Sequence, residues 1–409
     1  MNARKFLIKK VTAPEMAVLL VVVGFFTSAT WTLAEPPQIV WEQVYIDDPP
    51  TSSFVYSLNA AAFAGETFVA VGDSIMTSTN GLDWTYVVPA TRQTLNSITY
   101  GAGRFVAVGG AYVSLHQAGL HYSAIVTSTD GYHWTNVVER NLGFNLAAVT
   151  YGSNQFVAVG TGGGGVMVSS NGFDWLQMPA EVLRYCNDVA FGNGKYVLVG
   201  NGVVSPFEGV QVMTSEDGLQ WVKQQTGYSD ELIGVCYGNG HFIACGSNGS
   251  VLASDDGVTW VRKWNQPEVN LWRVAYGEGY YLCPQSTQAL LVGTSGGEWT
   301  SQALPGTAKD LGGVAFGNEQ FIAVGWHNLI VRGRVPAQPP AITGYSFTSD
   351  QQFALKLGVQ SSRSYRVEFS GDLVTWNTLT NLTALAPTLE IRDAVATNSS
   401  RRFYRAVAQ

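Results

Sequence analysis

Ser128-Thr-Asp-Gly-Tyr-His-Trp134 sets a hydroxyl, a carboxylate, an imidazole and an indole close together. These are the side-chain types of nucleophilic and general acid–base catalysis. The spacing recurs, and the recurrence changes its meaning. Ser78 to Trp84 reads S-T-N-G-L-D-W, Ser169 to Trp175 S-S-N-G-F-D-W, Ser215 to Trp221 S-E-D-G-L-Q-W and Ser254 to Trp260 S-D-D-G-V-T-W. A worn copy, T-S-G-G-E-W, ends at Trp299. Catalysis needs one convergent constellation, whereas these copies are spread along the chain. His133 fills a position held elsewhere by Asp83, Asp174, Gln220 and Thr259, so it carries no special role. The motif predicts a hairpin turn. Asn80-Gly81, Asp130-Gly131, Asn171-Gly172, Asp217-Gly218 and Asp256-Gly257 are expected as type I′ pairs, both residues at positive φ. The Asp or Asn oxygen and the Ser hydroxyl would bond nearby amides, and the Trp would anchor the following strand on its neighbour.

The elements that carry these turns are short and apolar. Each motif follows three strands, such as Leu95–Gly101, Arg104–Gly109 and Ala124–Thr127, and a fourth starts at the Trp. Tryptophans at 84, 134, 175, 221, 260 and 299 give a period of about 40 to 50 residues, that of four-stranded propeller blades. First-strand signatures occur at Leu58–Phe63, Leu95–Tyr100, Leu146–Tyr151, Cys186–Phe191, Leu232–Tyr237, Leu271–Tyr276 and Leu311–Phe316, which makes seven blades. The seventh lacks a Trp strand. Ile39-Val-Trp-Glu-Gln-Val44 has the missing form and is expected to complete it, which would remove an exposed sheet edge.

These units resemble the Asp-box (BNR) repeats of sialidase-like propellers and of photosystem II assembly factor-like propellers, over residues 39–334. The family pattern has one more residue between Asp and Trp than is present here. The resemblance implies a seven-bladed β-propeller, and a sialidase as its enzyme branch. Such an enzyme uses an arginine cluster, a Tyr-Glu pair and an acid Asp; blade one lacks the family's Arg-Ile-Pro, and Arg334-Val-Pro336 lies at the ring's exit.

Other candidate chemistry lies on the face opposite the turns, where the connections from strand two to three and between blades surround the tunnel. Ligand-binding candidates there are Arg92, Arg140, Arg184, Tyr185, Asp188, Trp264, Trp272 and Arg273, with Asn270 and Lys309 beside them. Gly109–Ala124 and Gly200–Gln211 are expected to stand above blades two and four as longer excursions. Three residues before the first-strand aromatic, five blades carry Ala60, Ser97, Ala148, Gly234 and Gly313, but blade four has Asp188 and blade six Arg273. Two opposite charges beside a crowded axis must be paired, solvated in the tunnel or used for binding. Gly160-Thr-Gly-Gly-Gly-Gly165 lacks the helix and lysine of a phosphate loop. His116 and His121 lack a further ligand, so neither a metal nor a cofactor is implied. Cys186, Cys236, Cys245 and Cys283 align with apolar or small columns and read as free buried thiols.

Residues 1–34 have basic Arg4, Lys5, Lys9 and Lys10, the apolar run Met16–Phe26 and small residues at Thr32-Leu33-Ala34. That is the layout of a secretory signal peptide, with an uncleaved membrane anchor as the alternative. Residues 35–336 hold 12 basic against 24 acidic side chains, a surface that repels nucleic acid. After Val335-Pro-Ala-Gln-Pro-Pro340, a stiff linker, residues 341–409 read as a small β-sandwich. Its Tyr365–Trp376 run and its Arg402-Phe-Tyr-Arg-Ala-Val407 ending resemble the C-terminal module of exported verrucomicrobial and planctomycete proteins. The chain is expected to be an exported, all-β, non-catalytic scaffold whose propeller (35–334) binds protein or glycan through its loop face. The alternative is a carbohydrate-active hydrolase acting in the central funnel.

Overall fold

Runs such as Phe105-Val-Ala-Val108 and Phe156-Val-Ala-Val159 lack a polar side because, as second strands, they are covered on both faces and almost wholly buried. The computed structural model describes residues 7–13, 16–22, 39–44, 57–115, 118–162, 165–178, 182–202, 209, 211–294, 297–305, 310–335, 340–347, 353–359, 364–384, 388–393 and 403–408. These fall into two units, Gln38–Val335 and a second made of Met1–Pro37 with Pro336–Gln409.

In the first unit the described residues form seven antiparallel four-stranded blades. Blades three and four share one sheet through the single pair Thr161↔Tyr185. The first strands of successive blades touch in an unbroken cycle, Leu311–Gly317 lying against Leu58–Ala64. The seventh blade takes its fourth strand from the other end of the chain: Val40–Val44 pairs antiparallel with Ile330–Arg334, from Val40↔Arg334 to Val44↔Ile330. Glu42 and Arg332 add an ion pair across that ladder.

A repeated aromatic device joins strand one to strand two. Phe63–Phe68, Tyr100–Phe105, Tyr151–Phe156, Phe191–Tyr196, Tyr237–Phe242, Tyr276–Tyr281 and Phe316–Phe321 are cross-strand pairs with ring centroids 4.5–4.9 Å apart. The glycine after the first aromatic is the seat for the next blade's ring. A β-carbon on Gly192 would lie 2.0 Å from Cγ of Tyr237, and one on Gly317 2.0 Å from Cγ of Phe63.

The type I′ turn lies in this first hairpin, not at the Asp-Gly motif. Ala102 and Gly103, Asn193 and Gly194, and Asn239 and Gly240 all have positive φ, in two-residue loops such as that closed by Gly101↔Arg104. At the motif only Gly81, Gly131, Gly172, Gly218 and Gly257 are left-handed, and the loop is longer, since Thr77 pairs with Thr85. Asn80 Oδ1 accepts from the amides of Leu82 and Asp83 while Ser78 Oγ accepts from that of Gly81. These side-chain bonds replace the backbone turn that was expected. The indole N–H of Trp84 donates to the Gly81 carbonyl, as Trp134, Trp221 and Trp260 do in their blades. Each turn glycine meets the second strand of the preceding blade, Gly131 against Val69 and Gly257 against Val197, so the motif stitches blades together.

The Gly109–Ala124 excursion is a regular hairpin. Arg104–Leu115 and Ala118–Ser128 extend as one hairpin, in register to Leu115↔Ala118. Residues 203–208 and 210 of the second excursion, with His116 and Lys309, lie outside the described residues, as do 336–339 of the linker. Val335 itself is buried with Ile39 and Phe321 and so belongs to the propeller.

The second unit has two sheets packed on one core. Phe353, Leu355 and Leu357 of one meet Val367, Tyr404 and Ala406 of the other, a sandwich. Strands from residues 7–22 extend one of these sheets. Leu7–Ala13 pairs with Met16–Val22, and Val21 and Val22 pair with Tyr404 and Phe403. A β-branched apolar run added to an open sheet edge accounts for it. Ser370-Gly-Asp-Leu-Val-Thr-Trp376 repeats the propeller's turn, Asp372 Oδ1 accepting from Val374 and Thr375, with Leu373 left-handed where the blades have glycine.

Candidate functional site

Six of the seven first strands open at their start. Register shifts fall between Leu58 and Ala60, Leu95 and Ser97, Leu146 and Ala148, Cys186 and Asp188, Leu232 and Gly234, and Leu311 and Gly313. Each leaves one bulged residue that breaks the ladder and re-aims its side chain. Asn59, Asn96 and Asn187 donate through Nδ2 to the carbonyls of Leu95, Leu146 and Leu232 in the next blade, at 2.9–3.0 Å. The signal was present in the sequence as Leu-Asn, Leu-Asn and Cys-Asn before the small column, and sequence reasoning missed it.

Asp188 and Arg273 meet at 2.7 Å, two blades apart. Asp188 Oδ1 also accepts from the Val189 amide and Oδ2 from that of Val235, both at 3.0 Å. Arg273 Nη2 reaches the carbonyls of Asn96 and Ala147, at 3.3 and 3.2 Å. One guanidinium therefore ties blade six to blades two, three and four. Trp272–Val274 departs from strand geometry here, and the ladder expected from Leu271 reduces to Ala275–Gly277 plus the bridge Leu271↔Gln285.

Above the pair is a cavity of about 450 Å³ lined by Asn59, Asn96, Trp272, Arg273, Asp310 and Trp326, among others. Trp326 is 59% and Trp272 37% exposed, large values for indoles in a lined hollow. Trp326 follows strand two and donates its amide to the Asp310 carbonyl, which holds the two side by side. Of the residues singled out from sequence, Trp272 and Arg273 line the cavity and Asp188 sits behind Arg273. Arg92, Arg140, Arg184, Tyr185 and Trp264 are not in its lining. Arg184 instead lies over the Tyr185 ring, 5.9 Å from its centroid, and Trp264 packs on the core between blades five and six. Trp326 and Asp310 were not foreseen; an exposed Trp just after a blade's second strand was the available signal.

Several other titratable groups are committed to structure. The Asp217 carboxyl is lowered chiefly by the Gln220 amide, and that of Asp256 by the Thr259 amide. For Asp130, partial burial opposes ionisation, but the His133 ring, the His133 and Tyr132 amides and Ser128 outweigh it and hold the carboxyl low. Carboxylates held ionised by their own turns are poor general acids. Asp217 also lines a second hollow of about 480 Å³ beside Lys195 and Glu216, where the same turn consumes it. The four cysteines are free thiols. Burial pushes Cys186, Cys236 and Cys283 upward, away from nucleophilic thiolate. Cys236 pairs with Ile243 and Cys245 with Gly234, so the two cysteines of this hairpin do not face each other. His121 lies against Gly162, and no group of three metal-binding side chains gathers among the described residues.

Solved structures of similar architecture cover the propeller. YCF48 bound to D1 peptide aligns with a TM-score of 0.52 and 16% identity, over 74% of this chain and 98% of that one. A virginiamycin B lyase from Staphylococcus aureus aligns with a TM-score of 0.59 at 9% identity, over 73% and 99%. The WD40 propeller domain of Doa1 gives 0.54 at 12%, over 73% and 96%. At such identities the likeness is one of fold. No family model matches the chain. No curated protein matches it.

Proposed function

We propose that the chain is a binding scaffold that recognises a protein partner through the propeller face bearing the tunnel mouth. The observation that carries this reading is the pairing of exposed Trp272 and Trp326 in one cavity on that face. Exposed aromatics lodged in a concave, well-supported surface are the usual anchors of a binding hot spot. Asp188 is spent on Arg273 and two amides, which leaves Asp310 as the carboxylate of the described cavity lining and favours binding over two-carboxylate hydrolysis. YCF48, similar in fold, is known with a peptide bound, and that supports a peptide-binding role here.

The finer reading has its own support. Five turns with one hydrogen-bond pattern, and a sixth at Ser370–Trp376, fit kinship with Asp-box propellers. The basic-then-apolar start of residues 1–34 fits export, to a cell surface or periplasm, with 35–334 as propeller and 341–409 as an attached module.

The test is a random peptide library and a glycan array, each presented to the purified full chain and to a Trp272→Ala, Trp326→Ala variant. Peptides retained by the wild type and lost by the variant support the reading. Glycans retained in that way, or ligands cleaved, replace it.

A further inference from the structure

We infer that the tunnel mouth takes a cationic side chain, a lysine or arginine presented by the partner, between Trp272 and Trp326 and against Asp310. This rests on the protein-binding reading above and adds the chemistry of the contact.

The lining offers unspent acceptors, one of them charged. Arg273 spends Nη1 on Asp188 and Nη2 on the carbonyls of Asn96 and Ala147. The side-chain amides of Asn59 and Asn96 donate to the carbonyls of Leu95 and Leu146. Among the described residues, the Oδ1 atoms of those asparagines and the Asp310 carboxylate make no hydrogen bond. Donors also remain, namely the indole N–H groups, the second N–H of each asparagine amide, and the Nε–H and one Nη1–H of Arg273, but the charged group left without a partner is an acceptor, the Asp310 carboxylate. Acceptors call for a donor-rich ligand, and a guanidinium or ammonium brings nothing but donors.

Charge points the same way. Arg273 is neutralised by Asp188, so Asp310 sets the net charge of the cavity, within a propeller whose residues 35–336 hold 12 basic and 24 acidic side chains. Indole faces bind cations within about 6 Å of the ring, and more strongly as the site is desolvated. An anion would meet the charge of Asp310, while the charge of Arg273 is already balanced by Asp188. A neutral sugar would use the indoles but would be indifferent to the charge of Asp310 and to salt.

The experiment titrates the full chain with acetyl-Gly-Arg-Gly-amide, its Lys counterpart, and the Gln and Glu counterparts, following tryptophan fluorescence and heat. The variants are Asp310→Asn and Trp326→Ala, both at exposed positions, so the melting temperature should hold. Saturable binding of the Arg and Lys peptides is expected, stronger than Gln or Glu, reduced about fivefold by either variant and weakened by salt. Equal binding of the Glu or Gln peptide, indifference to Asp310→Asn, or no saturation by any peptide overturns the inference. If the library yields Trp-dependent peptides without Lys or Arg, the scaffold reading stands and this inference falls. If it yields no such peptides while the tripeptides bind as expected, the mouth chemistry stands and the scaffold reading falls.

Discussion

The ring of Phe63 occupies the place where a β-carbon on Gly317 would be, 2.0 Å from its Cγ, and that contact joins the last blade to the first. The same seating recurs between Gly101 and Tyr151, Gly152 and Phe191, Gly192 and Tyr237, Gly238 and Tyr276, and Gly277 and Phe316. None of these glycines has a positive φ. They are present for space, not for backbone freedom. Blade one has Ala64 instead, and the next ring, Tyr100, is 39% exposed.

Gly192→Ala should therefore force the Tyr237 ring off its seat, at a cost of about 2 kcal/mol typical of overpacking. Gly371→Ala, where a β-carbon meets nothing within 4 Å, serves as the control. Denaturant midpoints measured on both check it. Equal midpoints would mean that the blades can spread at no cost.

Arg273→Ala leaves Asp188, whose side chain is 12% exposed, without its cation, and a loss of about 3 kcal/mol is expected. The double variant Asp188→Ala, Arg273→Ala should cost less than the sum of the single changes, because neither leaves a charge behind. A double-mutant cycle reads the coupling. Strict additivity would show that the two side chains act separately.

How legible this was depends on whether the cause was local. The blade count and the closing strand were readable, because Trp41 leads into Glu-Gln-Val as Trp84 leads into Thr-Tyr-Val and a four-strand period has to close somewhere. The role of the motif as a turn was readable, but its geometry was not. Asp-Gly favours a type I′ hairpin only when the loop has two residues, and here the Asp oxygen makes a longer loop hold together. The tunnel charges stood out as exceptions in a column of small residues. Trp326 and Asp310 did not, since what makes them a site is their meeting, at the ends of blade seven's strands, with Trp272 and Arg273 of blade six and with asparagines of blades one and two.

Asp217 and Asp256 are lowered below the ordinary 3.8 by bonds that exist only in the folded chain. A depressed folded value gives stability that is fully present above the unfolded value and is lost as pH falls through the folded one. Stability should therefore decline below about pH 4. Asn80 and Asn171 make the same bonds without charge. A triple variant, Asp130→Asn, Asp217→Asn, Asp256→Asn, should melt like the wild type at neutral pH and lose less on acidification. Melting curves from neutral to acid pH test this, and parallel acid limbs would refute it. In the tail, the Thr375 and Val374 amides lower Asp372 to about 2, so its share persists to still lower pH.

Glu319, at φ 57°, occupies the second position of a type I′ turn where four other blades have Gly103, Gly194, Gly240 and Gly279. Leu373, at φ 67°, takes the glycine position in the tail's turn. A side chain in the left-handed region costs roughly 1 kcal/mol, so Glu319→Gly and Leu373→Gly should each stabilise by up to about that amount. Thermal melts of the single variants decide it. A lower melting temperature would mean that glycine's unfolded-state entropy outweighs the relieved strain.

The closing strand gives the most direct test of the ring. Ile39 donates its amide to Gln302 Oε1 at 3.2 Å, Trp41 lies over Gly333, and Glu42 faces the buried Arg332. A chain starting at residue 35 keeps all of this; one starting at residue 46 leaves Ile330–Arg334 as an open edge. An exposed apolar edge recruits other strands, so the shorter chain should self-associate. A synthetic peptide spanning residues 38–45 should restore the monomer by supplying the missing strand, and a scrambled peptide should not. Sedimentation velocity of the two chains, with and without peptide, reads the outcome. A shorter chain that stays monomeric with an unchanged melting temperature would mean that three strands suffice for the seventh blade and that the first-strand contacts alone hold the ring closed.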